Sequence, residues 1–212
     1  MRLTKLEHAC VRLEKDGAIL AIDPSVWSMP EALVGASAVL VTHEHFDHLD
    51  GDGLRAALDA DAGLQLWTNQ SVASQFAGFS RDQVHIVDHG DAFSVAGFDV
   101  HAYGHLHAQL HRDIPIVENT GFLIDGTLFH PGDSFTVPED PAQTLLLPAS
   151  GPWLKTGEMI DYAREVSPQR GYVIHEALFG DIGLMVLDGF LPLCGKNEDD
   201  FRRVDVGTTI EV

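Results

Sequence analysis

Residues 39–51, VLVTHEHFDHLDG, run four residues suited to a buried strand straight into three histidines and three acids. Such an apolar run reads as a strand packed on both faces. Ionisable groups at its end need partners, because an isolated charge taken out of water is costly. His43 and His45 are two apart, so in an extended segment both imidazoles point to one side, and Asp47 and His48 follow where the chain turns toward a helix at Gly53. Neutral imidazole and carboxylate are the donors that a divalent, zinc-like ion takes. The plain alternative is a His-rich surface loop, and an apolar strand leading directly into H-x-H-x-D-H argues against it.

The surrounding chain supplies the scaffold. MRLTKL, ACVRLE and AILAID read as consecutive strands, with Asp16-Gly17 as the hairpin turn between the last two. SAVLVT (37–42) is a buried strand. GLRAALDA is a helix with Leu54, Ala57 and Leu58 on one face, LQLWT a strand, and NQSVASQFAGF a helix with Val72, Phe76 and Phe79 at helical spacing. VHIVD, AFSVAG and FDVHAYG return to strand, and TGFLID and TLFHPGD form a hairpin around Asp125-Gly126. TLLLPAS then reads as strand, TGEMIDYAREV as a helix with Met159, Ala163 and Val166 on one stripe, GYVIH as strand and GTTIEV as a last strand. Each half therefore combines strands and helices, and 212 residues with 45% hydrophobic content suit one domain spanning 1–212.

Composition narrows the partners. The formal net charge of -19 opposes nucleic-acid and anionic-membrane binding, both of which need cationic side chains. No stretch approaches the roughly 20 apolar residues that span a bilayer, and MRLTKLEHAC lacks the apolar region of a signal peptide, so a soluble cytoplasmic protein is expected. Cys10 and Cys194 form no CxxC pair and read as two small buried hydrophobes in a reducing compartment. The charged break GKNEDD at 195–200 reads as a surface loop.

On these residues the chain resembles the metallo-β-lactamase superfamily, whose dinuclear members carry H-x-H-x-D-H after a strand and then a lone His, an Asp and a final His at later strand ends. The resemblance covers nearly the whole length. It places His43, His45, Asp47 and His48 in the opening motif, His105 of AYGHLH as the next ligand, Asp133 of HPGDS as the bridging carboxylate, and His175 of GYVIHEA as the last histidine. It implies an α+β fold, a four-layer αββα sandwich with the metals in a cleft at one edge of two packed sheets. Asp23 of LAIDPS sits where the superfamily has a structural Asp. His101, His107 and His111 crowd the segment of His105, which is preferred because it ends the FDVHAYG strand; His107 is read as a pocket-wall group. A solvated or hydrogen-bonded role is the commoner fate of His8, His85, His89 and His130. His8 and His130 stand out, since related members show an early GH before a strand and YHAGD before the bridging Asp, and here the text is LEHACVRLE and LFHPGDS.

Departures from other branches point to the chemistry. True class B β-lactamases often place a Cys where Asp133 stands, flavodiiron proteins carry a carboxylate where His45 stands, and tRNA-processing members have an RNA arm with no counterpart here. The closest resemblance is to compact lactonase-like hydrolases, a group that includes ascorbate-6-phosphate lactonases and N-acyl phosphatidylethanolamine phospholipase D-like proteins. It implies a metal-dependent hydrolase that uses a bridging hydroxide on an ester, lactone or phosphodiester of a small molecule. Two divalent ions lie roughly 3.5–4 Å apart in such sites. One would be held by His43, His45 and His105, the other by Asp47, His48 and His175, with Asp133 shared. Zn2+ is the first choice, and Mn2+ or Fe2+ suit the same donors. Asp47 and Asp133 would serve catalysis as well as ligation, and His107, His130, Lys155 or metal-bound water would supply the leaving-group proton. Glu44 and Asp50 flank the ligands, Asp50 being the better placed to orient a histidine. Two other readings stay open: a mononuclear iron oxidoreductase resembling persulfide dioxygenases, and a metal-binding protein without turnover.

The segment after His175, EALFGDIGLMVLDGFLPLCG, is too apolar for a solvated tail. Phe179, Ile182, Met185 and Val186 read as core beneath an outer helix, as one wall of the substrate pocket, or as a homo-oligomer interface.

Overall fold

Alternating side-chain directions along the strands sort this chain into four layers. The computed structural model describes residues 1–197 and 200–212, so positions 198 and 199 of the charged break lie outside the described residues. β1 (Arg2–Lys5), β2 (Val11–Lys15) and β3 (Ala18–Ile22) form the expected meander. Its second turn has Asp16 and Gly17 both at positive φ, 51° and 85°, the type I′ geometry whose twist matches that of the flanking strands. β4 (Ala38–Val41), α1 (Gly51–Ala60), β5 (Gln65–Thr68), α2 (Gln70–Gln75) and β6 (Val84–Ile86) extend the sheet in parallel.

The second sheet repeats the scheme. β7 (Ala92–Val95), β8 (Phe98–Tyr103), β9 (Gly121–Ile124) and β10 (Leu128–His130) are antiparallel. β11 (Thr144–Pro148), α3 (Thr156–Val166), β12 (Arg170–Ile174), α4 (Asp181–Phe190) and β13 (Phe201–Arg202) continue it in parallel. β14 (Thr209–Glu211) returns to pair with β1, giving the orders β14-β1-β2-β3-β4-β5-β6 and β13-β12-β11-β10-β9-β8-β7.

In β4, Ala38 and Leu40 face the other sheet and pack in one interior with Phe98, Phe122, Ile124 and Ile174, while Val39 and Val41 face outward onto Leu54 and Leu58 of α1 and Phe76 beyond α2. Leu145, Leu147 and Val173 of the second sheet pack likewise on Met159 and Ala163 of α3 and Leu187 of α4. The result is the expected αββα sandwich. Two helices differ from expectation. α1 begins two residues early, because the Asp50 side chain accepts a hydrogen bond from Gly53 N at 3.0 Å and caps it. α2 stops at Gln75, so Phe76 and Phe79 pack from a turn rather than a helical face.

β1 runs antiparallel to β2, and β2 to β3, while β4 is parallel to β3; the carboxyl ends of β1, β3 and β4 therefore share one edge. In the other sheet the carboxyl ends of β10, β11 and β12 share an edge in the same way. His175 N donates to His8 O at 3.2 Å, which joins the two edges.

Candidate metal centre

Six histidines and two aspartates converge where these strand ends meet. Their donor atoms fall into three groups, each within 4.8 Å of one another: His8, Asp47, His48 and His175; His43, His45 and His107; and His43, His48 and Asp133.

The H-x-H-x-D-H loop is held by Asp23, which follows β3 at a φ of 52°. Thr42 N and Thr42 Oγ1 each donate to the Asp23 carboxylate at 2.7 Å, and His48 Nδ1 lies 2.7 Å from Asp23 Oδ2. That bond turns His48 Nε2 toward Asp133, 3.1 Å from Oδ1, as an orienting carboxylate does for a ligand histidine. Asp23, read from the sequence as structural, thus aims one of the site histidines. His43 Nδ1 lies 3.0 Å from Thr42 Oγ1, and its Nε2 lies 3.1 Å from His45 Nδ1.

Asp133 is set by Gly132, whose φ of 62° is paired with crowding that forbids a side chain: a Cβ there would lie 2.3 Å from Asn119 Oδ1 and 2.8 Å from Thr42. Asp133 N donates to Asn119 Oδ1 at 3.0 Å, and Trp153 Nε1 donates to Asp133 Oδ2 at 3.0 Å. The same Oδ2 lies 3.0 Å from His175 Nε2 and 3.4 Å from His107 Nε2. Asn119 and Trp153 carried no sequence signal, since both act on Asp133 from distant segments.

The lone histidine is where the structure departs from expectation. His105 is exposed and pairs with Asp88 at 3.0 Å, outside the cluster. Beyond β8, Gly104 takes a φ of 82°, and the chain docks three residues later: His107 N donates to Val117 O at 3.0 Å and Ala108 N to Asp133 O at 2.8 Å. The His107 ring is buried, its Nδ1 donates to Ala108 O at 2.5 Å, and its Nε2 is left facing Asp133. His107 stands in the cluster where His105 was expected.

The proton candidates fare differently. His130 is buried with both ring nitrogens engaged, Nε2 donating to Ala9 O at 2.9 Å and Nδ1 accepting from Gly132 N at 3.1 Å, so it holds backbone and has no nitrogen free for substrate. Lys155 is exposed and pairs with Glu158 at 2.9 Å. Glu44 bonds Ser71, and Asp50 caps α1 instead of orienting a histidine. His101, His85, His89 and His111 lie outside the three groups.

The electrostatics suit cations. Burial holds the His43 pKa well below its usual value, so this imidazole is a neutral donor. Burial also penalises the charge on Asp133, but His48 and His175 outweigh it and hold the carboxyl well below the usual range. Both nitrogens of His8 and His175, His48 Nε2, His107 Nε2 and Asp133 Oδ1 are buried without a hydrogen-bond partner. So many unpartnered polar atoms converging on one place are costly unless a shared positive charge satisfies the acceptors among them. The donors present therefore fit divalent metal ions.

A family model described as a beta-lactamase superfamily domain matches residues 2–175. A Mycobacterium tuberculosis protein, Protein Rv0786c, is 36% identical over 184 residues, covering 84% of this chain and 85% of that protein. A UPF0173 metal-dependent hydrolase of Methylocella silvestris is 29% identical over 149 residues, 63% of either chain. Among solved structures, Igni18, a metallo hydrolase from Ignicoccus hospitalis, aligns over 99% of this chain and 97% of that one with a TM-score of 0.73 at 18% identity. The chain has the metallo-β-lactamase fold, and it belongs to the beta-lactamase superfamily, among relatives that bear the name metal-dependent hydrolase.

Proposed function

We propose that the protein is a dinuclear metal-dependent hydrolase acting on an ester, lactone or phosphodiester of a small molecule. The observation that carries this reading is Asp133, whose two carboxylate oxygens lie within 3.4 Å of imidazole nitrogens of His48, His107 and His175, which are spread over all three donor groups. His43, His45 and His107 would hold one ion, Asp47, His48 and His175 the other, and Asp133 both. Divalent ions held there, with Zn2+ as first choice, would supply Lewis acidity and a nucleophile at neutral pH. Donors enough for two ions favour this over a mononuclear iron oxidoreductase, which needs only one set.

The protein's own contribution is positioning. Asp23 fixes His48, and Trp153 and Asn119 fix Asp133. Beside the cluster, a cavity of about 460 Å³ is lined by Glu7, Trp27, Ala177 and Leu178. The Trp27 ring lies 5.4 Å from that of His8 and 5.6 Å from that of Phe46. This apolar wall suits a substrate with a hydrocarbon or aromatic group beside the scissile bond. Net charge of -19 speaks for a small-molecule substrate rather than nucleic acid, and two free, buried cysteines suit a reducing, cytoplasmic setting.

The test is a screen of metal-loaded protein against phosphodiester, lactone and thioester panels. Turnover that is abolished by chelation and restored by metal is expected. Failure on all panels with two ions bound would leave a metal-binding protein without turnover.

A further inference from the structure

His8 follows β1 in a turn that has no counterpart in the H-x-H-x-D-H motif, yet its imidazole is buried in the cluster. Its Nε2 lies 3.3 Å from Asp47 Oδ2, and its ring centroid 3.8 Å from that of His175 and 5.9 Å from that of His48. Neither ring nitrogen has a hydrogen-bond partner. A histidine kept merely as packing engages at least one nitrogen when buried, as His130 engages two.

The backbone is shaped to deliver this ring. His8 sits at a φ of 60°, a conformation uncommon for residues other than glycine. His175 is also left-handed, at 65°, and donates its N–H to His8 O. One strand end from each sheet is thereby pinned to the other, and both rings point at Asp47. Strain of this kind persists where surrounding structure over-determines it, and it clusters at functional sites.

We propose that His8 is a ligand of the second metal ion, which the protein then holds through three imidazoles and two carboxylates: His8, His48, His175, Asp47 and the shared Asp133. The four donors His8, Asp47, His48 and His175 all lie within 4.8 Å of one another, close to the roughly 4.4 Å that two bonds of about 2.2 Å span across one ion. The pair of sites is therefore unequal. The second, with one protein donor more than the first, fills first and suits a five-coordinate ion. This inference rests on the dinuclear reading above.

The test is a Co2+ titration of the apoprotein followed by visible absorption, on wild type, His8→Gly and His8→Asn. Both substitutions suit the left-handed backbone. Wild type is expected to bind two classes of Co2+, the tighter with the weak absorption of a high-coordinate ion. In the variants that class weakens at least about tenfold, while the other keeps its affinity, and added imidazole restores the spectrum of His8→Gly. Variants that bind both classes as wild type does would overturn the proposal, and so would loss of both classes together, which would assign His8 to the fold. Failure of wild type to bind Co2+ would instead overturn the dinuclear reading itself.

Discussion

Asp133 is held from three sides, by the backbone pocket at Gly132, by Asn119 and by Trp153, and the histidines around it belong to more than one donor group. Asp133→Ala is therefore expected to weaken both ions at once. Loss of a single ion, read by elemental analysis, would contradict its bridging role. His107 and His105 give a sharper contrast. His107→Ala should remove about one metal ion per chain and His105→Ala none, because only His107 turns a buried nitrogen on Asp133. The reverse result would restore the expectation drawn from strand ends. That expectation failed for a physical reason. The sequence locates the end of β8, but the chain leaves it at Gly104 and is docked by Val117 and Asp133, partners remote in sequence. Asp47 and His48 were legible from the H-x-H-x-D-H spacing, Asp133 and His175 from the resemblance, and all four fall in the cluster.

A further single-residue test concerns Lys5, buried at the end of β1, which donates to Val173 O at 2.9 Å and pairs with Glu176. It ties the first sheet to the strand that delivers His175. Lys5→Ala leaves Glu176 with an unpaired, largely buried charge and should cost about 3–5 kcal/mol in denaturant unfolding. A loss under about 1 kcal/mol, the range of an exposed pair, would show that Glu176 finds water instead.

Among the elements, α1 and α4 test opposite readings. α1 was legible from its apolar face, but its early start was not, because Asp50 reads as a group beside the ligands and the structure makes it the cap. Asp50→Ala should cost about 1 kcal/mol without changing metal content, and a drop in metal content would mean that Asp50 orients a ligand. α4 was not legible as core, pocket or interface, because its apolar residues point both ways. Leu187 packs inward, while Ile182 and Met185 are 77% and 68% exposed. Phe179, 36% exposed, lies over Gly183 at the start of α4. Phe179→Ala should therefore cost well under the roughly 3–5 kcal/mol of a core Phe→Ala change. A loss of that full size in thermal unfolding would return Phe179 to the core.

Across the whole molecule, two sheets built on one scheme, an antiparallel meander followed by parallel strands with helical crossings, bring their strand ends to a single edge. The apolar periodicities made the individual strands and helices readable, and the four layers followed from the resemblance that the histidine motif carries. The joining of the two edges was not readable, since it depends on backbone contacts such as His175 to His8. The cysteines belong to the interior as expected: burial pushes the Cys10 thiol up to about 12 and the Cys194 thiol to about 11. Neither should react with a thiol reagent at neutral pH in the native protein, and both should react after unfolding. Labelling of the native protein would contradict this placement. No helix among the described residues is long and apolar enough to cross a membrane.

The proposed dinuclear hydrolase needs two cation sites that share Asp133 where the strand ends meet. The direct measurement is the metal-to-protein ratio of wild type after reconstitution and removal of free metal, read by elemental analysis. The proposed pair of sites predicts close to two transition-metal ions per chain; one ion, or none, would contradict it.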